Sequence, residues 1–220
     1  MNKNIYILFA FITFFVIKPQ FLWCQWEVQN PLPTESFLLT VEPVTNNLVF
    51  AGGLGGTLLK TKNAGKTWNV QKFKDLVNIR GITFKDSLRG WLIDSEHIYN
   101  TSDGGESWKE IHINADMSTY YFLDIISFNN TIYLFLKPQT AVLDELIDAK
   151  SLVMKSTDGG KTWMRLDQEI KGKMLCMYFI NENYGFIYAQ ETVSISKGFT
   201  SLYKTTDGGK TWIKKITEIP

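Results

Sequence analysis

Four copies of one eight-residue string punctuate this chain, and each ends in tryptophan. They are Thr61-Lys-Asn-Ala-Gly-Lys-Thr-Trp68, Thr101-Ser-Asp-Gly-Gly-Glu-Ser-Trp108, Ser156-Thr-Asp-Gly-Gly-Lys-Thr-Trp163 and Thr205-Thr-Asp-Gly-Gly-Lys-Thr-Trp212. The tryptophans stand 40, 55 and 49 residues apart. A period of that size marks stacked supersecondary units, none of which can bury its apolar face alone. Between the boxes lie short aromatic and β-branched runs, which favour strands over helices. In the second unit, residues 79–84, 90–93, 97–100 and 108–113 read as four strands, a to d, with the box between c and d. The same order recurs in residues 38–71, 120–166 and 174–216. The expected fold class is therefore all-β: a β-propeller of about four four-stranded blades, with a box turn between strands c and d of each.

The chemistry of the box explains its composition. Asp or Asn at the third position, here Asn63, Asp103, Asp158 and Asp207, can accept hydrogen bonds from backbone amides just ahead of it. Gly65, Gly105, Gly160 and Gly209 supply positive φ at little steric cost, so that the chain reverses into the next strand. Hydroxyls at the first and seventh positions tie the two arms together. Trp68, Trp108, Trp163 and Trp212 then open strand d, and we expect them to turn inward as anchors between units.

These boundaries predict blades at about 34–74, 75–115, 116–170 and 171–220 of a domain spanning 25–220. Residues 26–29, Trp-Glu-Val-Gln, echo Trp-Asn-Val-Gln at 68–71 and read as an extra outer strand. Three arrangements stay open: four blades closing tightly, two chains sharing a ring, or an incomplete ring whose open blade ends self-associate. One insertion interrupts the third blade at residues 140–150. There Val142, Leu143, Leu146 and Ile147 share one face at helical spacing, opposite Asp144, Glu145 and Asp148. The pattern fits a short helix laid over its own blade, a partner-docking ridge on the rim, or a disordered insertion.

The first 24 residues read as an export signal: Lys3, an apolar run from Ile5 to Ile17, then Lys18-Pro19. The run is too short to span a bilayer comfortably, so no stable span is expected after cleavage, and a secreted, periplasmic or cell-surface product follows. Loss of Lys3 and Lys18 with the leader turns a net charge of +1 into −1. No basic patch or polycationic tail points to nucleic acid. Loss of Cys24 would leave Cys176 as the single cysteine, which excludes an internal disulfide framework and a thiolate metal site. From its place in the apolar run 174–180, Cys176 is expected to be a buried core thiol.

The string Ser/Thr-x-Asp-x-Gly-x-Thr-Trp resembles the Asp-box, or BNR repeat, of bacterial sialidases and sortilin-type propellers. The fuller Lys204-Thr-Thr-Asp-Gly-Gly-Lys-Thr-Trp212 is similar to the photosystem II stability/assembly factor family and its non-photosynthetic bacterial relatives. Gly-Thr-Leu-Leu-Lys at 56–60, Arg-Gly-Trp-Leu-Ile at 89–93 and the opening Trp-Glu-Val-Gln-Asn-Pro-Leu-Pro at 26–33 fit the same family, so that the likeness runs over nearly all of 26–220. The resemblance implies a propeller that binds a client protein.

Residues for catalysis are sparse. Sialidases grip a carboxylate with three arginines, one of them in a Phe/Tyr-Arg-Ile-Pro motif; this chain has only Arg80, Arg89 and Arg165, in other contexts. His97 and His112 are the only histidines, short of a metal or triad set. Gly-Gly-Leu-Gly-Gly at 52–56 lacks the Lys-Ser/Thr of a phosphate loop and reads as a b–c turn. Neither a cofactor nor a metal is expected. The leading expectation is a non-catalytic binding or assembly module outside the cytoplasm, presenting loops to a protein or glycan. The alternatives are a glycan-active hydrolase of the sialidase-like type and a truncated, inactive propeller.

Overall fold

The structure is a computed structural model that describes residues 33–113, 115–139, 149–194 and 197–216. The extra strand at 26–29, the leader and the ridge of Val142, Leu143, Leu146 and Ile147 lie outside the described residues. Among those described there is no helix, and antiparallel strands form four sheets in chain order. The first sheet contains β1 (Leu38–Pro43), β2 (Val49–Gly53), β3 (Thr57–Thr61) and β4 (Asn69–Lys72). The second contains β5 (Gly81–Phe84), β6 (Gly90–Ile93), β7 (Ile98–Thr101) and β8 (Lys109–Ile111). In the third, β9 (Tyr120–Phe128), β10 (Thr131–Pro138), β11 (Lys150–Ser156) and β12 (Met164–Arg165) follow, and β13 (Ile170–Lys171) also pairs with β11. The fourth contains β14 (Lys173–Phe179), β15 (Gly185–Ser194), β16 (Lys197–Thr205) and β17 (Ile213–Ile216). Each sheet is a meander of strands a, b, c and d, and every box joins c to d. That is the blade architecture of a β-propeller.

Packing explains why strand b is apolar on both faces. In β10, Ile132, Tyr133, Leu134, Phe135 and Leu136 are all fully buried. Ile132, Leu134 and Leu136 point into the core shared with the second blade, while Tyr133 and Phe135 point into the core shared with the fourth. Period-two alternation thus serves two interfaces at once. Among the described residues, most buried apolar side chains fall into three such interblade cores, one per consecutive junction, while Ala51, Leu59 and Ala149 are buried outside them. None of the three joins the fourth blade to the first.

Gly55 and Gly56, both at φ 62°, make the two-residue turn between β2 and β3, where a Cβ on Gly56 would sit 2.3 Å from the Phe73 carbonyl oxygen. The glycine-rich run at 52–56 is thus the b–c turn. Cys176, in contrast, is exposed rather than buried. An irregularity in the β14–β15 pairing between Met174 and Cys176 resets the alternation. Met174, Met177 and Phe179 then face the core, and Cys176 and Tyr178 face away from it.

Candidate functional site

Two regions carry the polar detail of the molecule, at opposite ends of the strands. The boxes occupy one end. In the second, Thr101 Oγ1 donates to Asp103 Oδ1 at 2.7 Å and accepts from the Gly105 amide at 2.9 Å. Asp103 Oδ1 accepts from the amides of Glu106 and Ser107, both at 3.0 Å, and Ser107 Oγ donates to Asp103 Oδ2 at 2.5 Å. The third box repeats this with Ser156, Asp158, Gly160 and Thr162, and the fourth with Thr205, Asp207, Gly209 and Thr211. Asn63 keeps the loop in the first box: its Oδ1 accepts from the Thr67 amide at 2.9 Å and its Nδ2 donates to Thr67 Oγ1 at 2.8 Å. These donors hold Asp103 and Asp158 far below the usual carboxylate range, the seventh-position hydroxyl contributing most. Burial would raise Asp207, but the bonds from Thr211 and Thr205 outweigh it and lower this group too.

The box tryptophans are not equivalent. Trp212 is 3% exposed and meets Phe179 edge to face at 5.8 Å. Trp108 and Trp163 are half-buried against the margins of their cores, and Trp68 is half-buried as well. The inward turn expected of all four is complete only in the last, because strand d lies at the outer rim, where a ring is covered on one side. The box carboxylates stay in separate blades, each engaged by its own turn, and among the described residues no cluster of three metal-ligating side chains exists.

The other end of the strands holds a groove. Three adjoining hollows of about 410, 340 and 360 Å³ meet at Glu96 and His97, in the turn between β6 and β7. Asp94, 2% exposed, organises that turn: its Oδ1 accepts from the amides of Glu96 and His97 at 2.8 and 2.7 Å, and His97 Nδ1 lies 3.2 Å from it. Met117, Tyr120 and Gln139 wall one side, and Val77, Arg80 and Tyr121 the other. Arg80 Nε is steadied by Ser95 Oγ at 2.9 Å, and Gln139 Nε2 by the Tyr120 carbonyl at 2.8 Å. Lys137 pairs with Tyr121 across β9 and β10. Burial, together with the nearby charges of Arg80 and Lys173, lowers the Lys137 ammonium below its ordinary value. Three cations from three consecutive blades thus interact electrostatically, and Arg80 among them lines the groove. Only Arg80 stood out in the sequence, and then as a misfit to a sialidase; the lysines carried no local signal, since Lys137 is placed by β10 and Lys173 by β14 of the next blade.

Two inner-strand carboxyls complete the electrostatics. Burial raises Glu42, which accepts from the Phe84 amide at 3.0 Å and feels the charge of Asp124. Asp124 is pushed up to about 6 by burial, against the bond from the Ile125 amide.

Comparison with known proteins adds a family to the fold. The model of the photosynthesis system II assembly factor YCF48 family matches residues 75–219. The photosystem II assembly lipoprotein Ycf48 of Synechococcus sp. (strain RCC307) is 34% identical over 80 residues, which cover 35% of this chain and 24% of that protein. The match thus spans about a quarter of the curated relative's length. A solved structure of YCF48 bound to D1 peptide superposes with a TM-score of 0.52 at 15% identity, covering 83% of this chain and 82% of the other. The Niastella koreensis GH74 enzyme superposes with a TM-score of 0.58 at 18% identity, over 80% of this chain and 28% of that one. At such identities the two structures share the propeller and nothing finer. The relative found by sequence is named for photosystem II assembly. With four Asp-box blades in its fold and a family model matched over 75–219, this chain belongs to the photosystem II assembly factor YCF48 family.

Proposed function

We propose that this chain is a non-catalytic binding module that works outside the cytoplasm and holds an extended segment of a client protein during assembly. The observation that carries this reading is the groove between the β6–β7 turn and the start of β9, with Arg80 in its wall, Lys137 paired with its Tyr121, and Lys137 within the electrostatic reach of Arg80 and Lys173. Half-buried cations among tyrosines suit an acidic peptide, since charge-assisted hydrogen bonds strengthen where water is partly excluded. They favour a protein over a neutral glycan. A YCF48 structure with D1 peptide bound supports the use of this fold for peptide capture. The lipoprotein relative supports action beyond the membrane, and in this reading residues 1–24 form the leader and 25–220 the working domain.

Fluorescence polarisation with a labelled D1 peptide and with an unrelated acidic peptide tests the reading. Arg80→Glu and Lys137→Glu should each weaken binding at least tenfold at unchanged thermal stability. Binding indifferent to both substitutions, or no binding of either peptide, would overturn it.

A further inference from the structure

The chain has only two histidines, and the second blade sets them side by side. His97 immediately precedes β7 and His112 immediately follows β8. Ile98 pairs with Ile111 in the β7–β8 ladder, so the next step of the antiparallel register places His97 opposite His112. Both line the hollow of about 340 Å³, together with Glu96 and Glu110. Residues opposite one another on an antiparallel pair have Cβ atoms about 5 Å apart. Two imidazoles at that spacing can converge on one ion held about 2.1 Å from each nitrogen.

Each ring already has the partner that a metal-bound histidine has. His97 Nδ1 lies 3.2 Å from both carboxylate oxygens of Asp94, which is itself 2% exposed. His112 Nδ1 faces Glu110 Oε1 at 3.6 Å. Carboxylate oxygens accept, so a neutral imidazole keeps its proton on Nδ1 and leaves the Nε2 lone pair free. A carboxylate on Nδ1 fixes the ring of a metal-bound histidine and raises the basicity of its other nitrogen. The His112 side chain is 86% exposed and can swing toward His97, which the buried Asp94 anchors.

The surroundings are negative as well. Tyr99, on β7, pairs with Glu110. Burial, followed by the charges of Glu110, Asp94 and Asp75, pushes its phenol up to about 12. Arg80, in the opposite wall of the groove, is held by Ser95. We propose that His97 and His112 together bind one divalent transition-metal ion through their Nε2 atoms, Cu²⁺ more tightly than Ni²⁺. Imidazole nitrogens suit these ions, whereas Mg²⁺ and Ca²⁺ take oxygen donors. Among the described residues no third side chain completes a cage, so water fills the remaining positions and the ion is exchangeable. The site does not depend on peptide binding in the adjoining hollows.

Isothermal titration of the untagged full chain with the chlorides of copper(II), nickel(II) and magnesium tests this, in a background of Cys24→Ser and Cys176→Ser that removes competing thiolates. Cu²⁺ should bind, Ni²⁺ more weakly and Mg²⁺ not at all. His97→Gln and the exposed His112→Gln should each weaken Cu²⁺ binding at least tenfold. Combining them should add little, because the ion needs both rings. Electron paramagnetic resonance of the Cu²⁺ complex should show two imidazole nitrogens, falling to one in either single variant. No Cu²⁺ binding, an affinity unchanged by either substitution, or a single imidazole nitrogen in the chain that keeps both histidines would overturn the proposal.

Discussion

The Tyr133 hydroxyl donates to the Gly208 carbonyl at 3.0 Å, so that a side chain of the third blade holds the box of the fourth. The same oxygen also lies 3.1 Å from the Glu182 carbonyl, and the ring stacks on Phe179 at 4.7 Å. Burial, with the charges of Glu182 and Asp207, pushes the phenol up to about 12, so it remains a donor at any physiological pH. Tyr133→Phe keeps the stacking, removes the bond to the Glu182 carbonyl and leaves the Gly208 carbonyl with Lys155 Nζ at 3.3 Å. It should cost about 1–2 kcal/mol in urea unfolding with an unchanged slope. An unaltered midpoint would mean that the box is held by Lys155 and packing alone.

Glu191 is a second tie, within the fourth blade. It is 2% exposed and accepts from Ser201 Oγ at 2.6 Å, Tyr203 Oη at 3.0 Å and Lys214 Nζ at 2.6 Å. Burial would raise the carboxyl, yet these donors outweigh it and keep it below its ordinary value. Lys214→Met strands the charge and should cost about 2–3 kcal/mol, less than a fully buried pair because the lysine is 30% exposed. Adding Glu191→Gln should recover part of the loss in a double-mutant cycle; strict additivity would show that the two do not act as a pair.

Trp212→Ala and Trp163→Ala should differ. The first empties a site in the core between the third and fourth blades and should cost about 3–5 kcal/mol. The second removes a half-buried ring whose indole donates to the Gly160 carbonyl of its own box at 3.1 Å, and should cost under about 2 kcal/mol. Equal losses in parallel denaturation curves would count against the difference in burial.

Stability should peak on the acidic side of neutrality. Asp124, pushed up to about 6, and Glu42, also raised, stabilise the fold when protonated, and that contribution is lost as pH rises through their folded values. Asp103, Asp158 and Asp207 are lowered, so their contribution is present above about 4 and is lost as pH falls below it. Glu106 and Asp86, each lowered to about 2 by lysine and arginine partners, act in the same direction. The thermal midpoint should therefore rise from pH 7 to about 5 and fall below 4. Asp124→Asn should flatten the first limb, and a midpoint that falls monotonically from pH 7 would contradict the assignment.

The repeat by itself determined the blades. A box that must cap its own amides with Asp or Asn and reverse on glycine can sit only between two antiparallel strands, so Asp103, Asp158 and Asp207 each mark a c–d turn without reference to the rest of the chain. Short continuous apolar runs likewise announced strands such as β10. What the sequence could not carry was everything set by neighbours in space. The exposure of Cys176 turns on an irregularity in the pairing of β14 with β15, and the unequal burial of Trp163 and Trp212 on what packs against each rim. The grouping of Arg80, Lys137 and Lys173 depends on three blades meeting at one end. Local hydrogen bonding is written in adjacent residues; burial and electrostatic grouping arise only when distant strands close on one another.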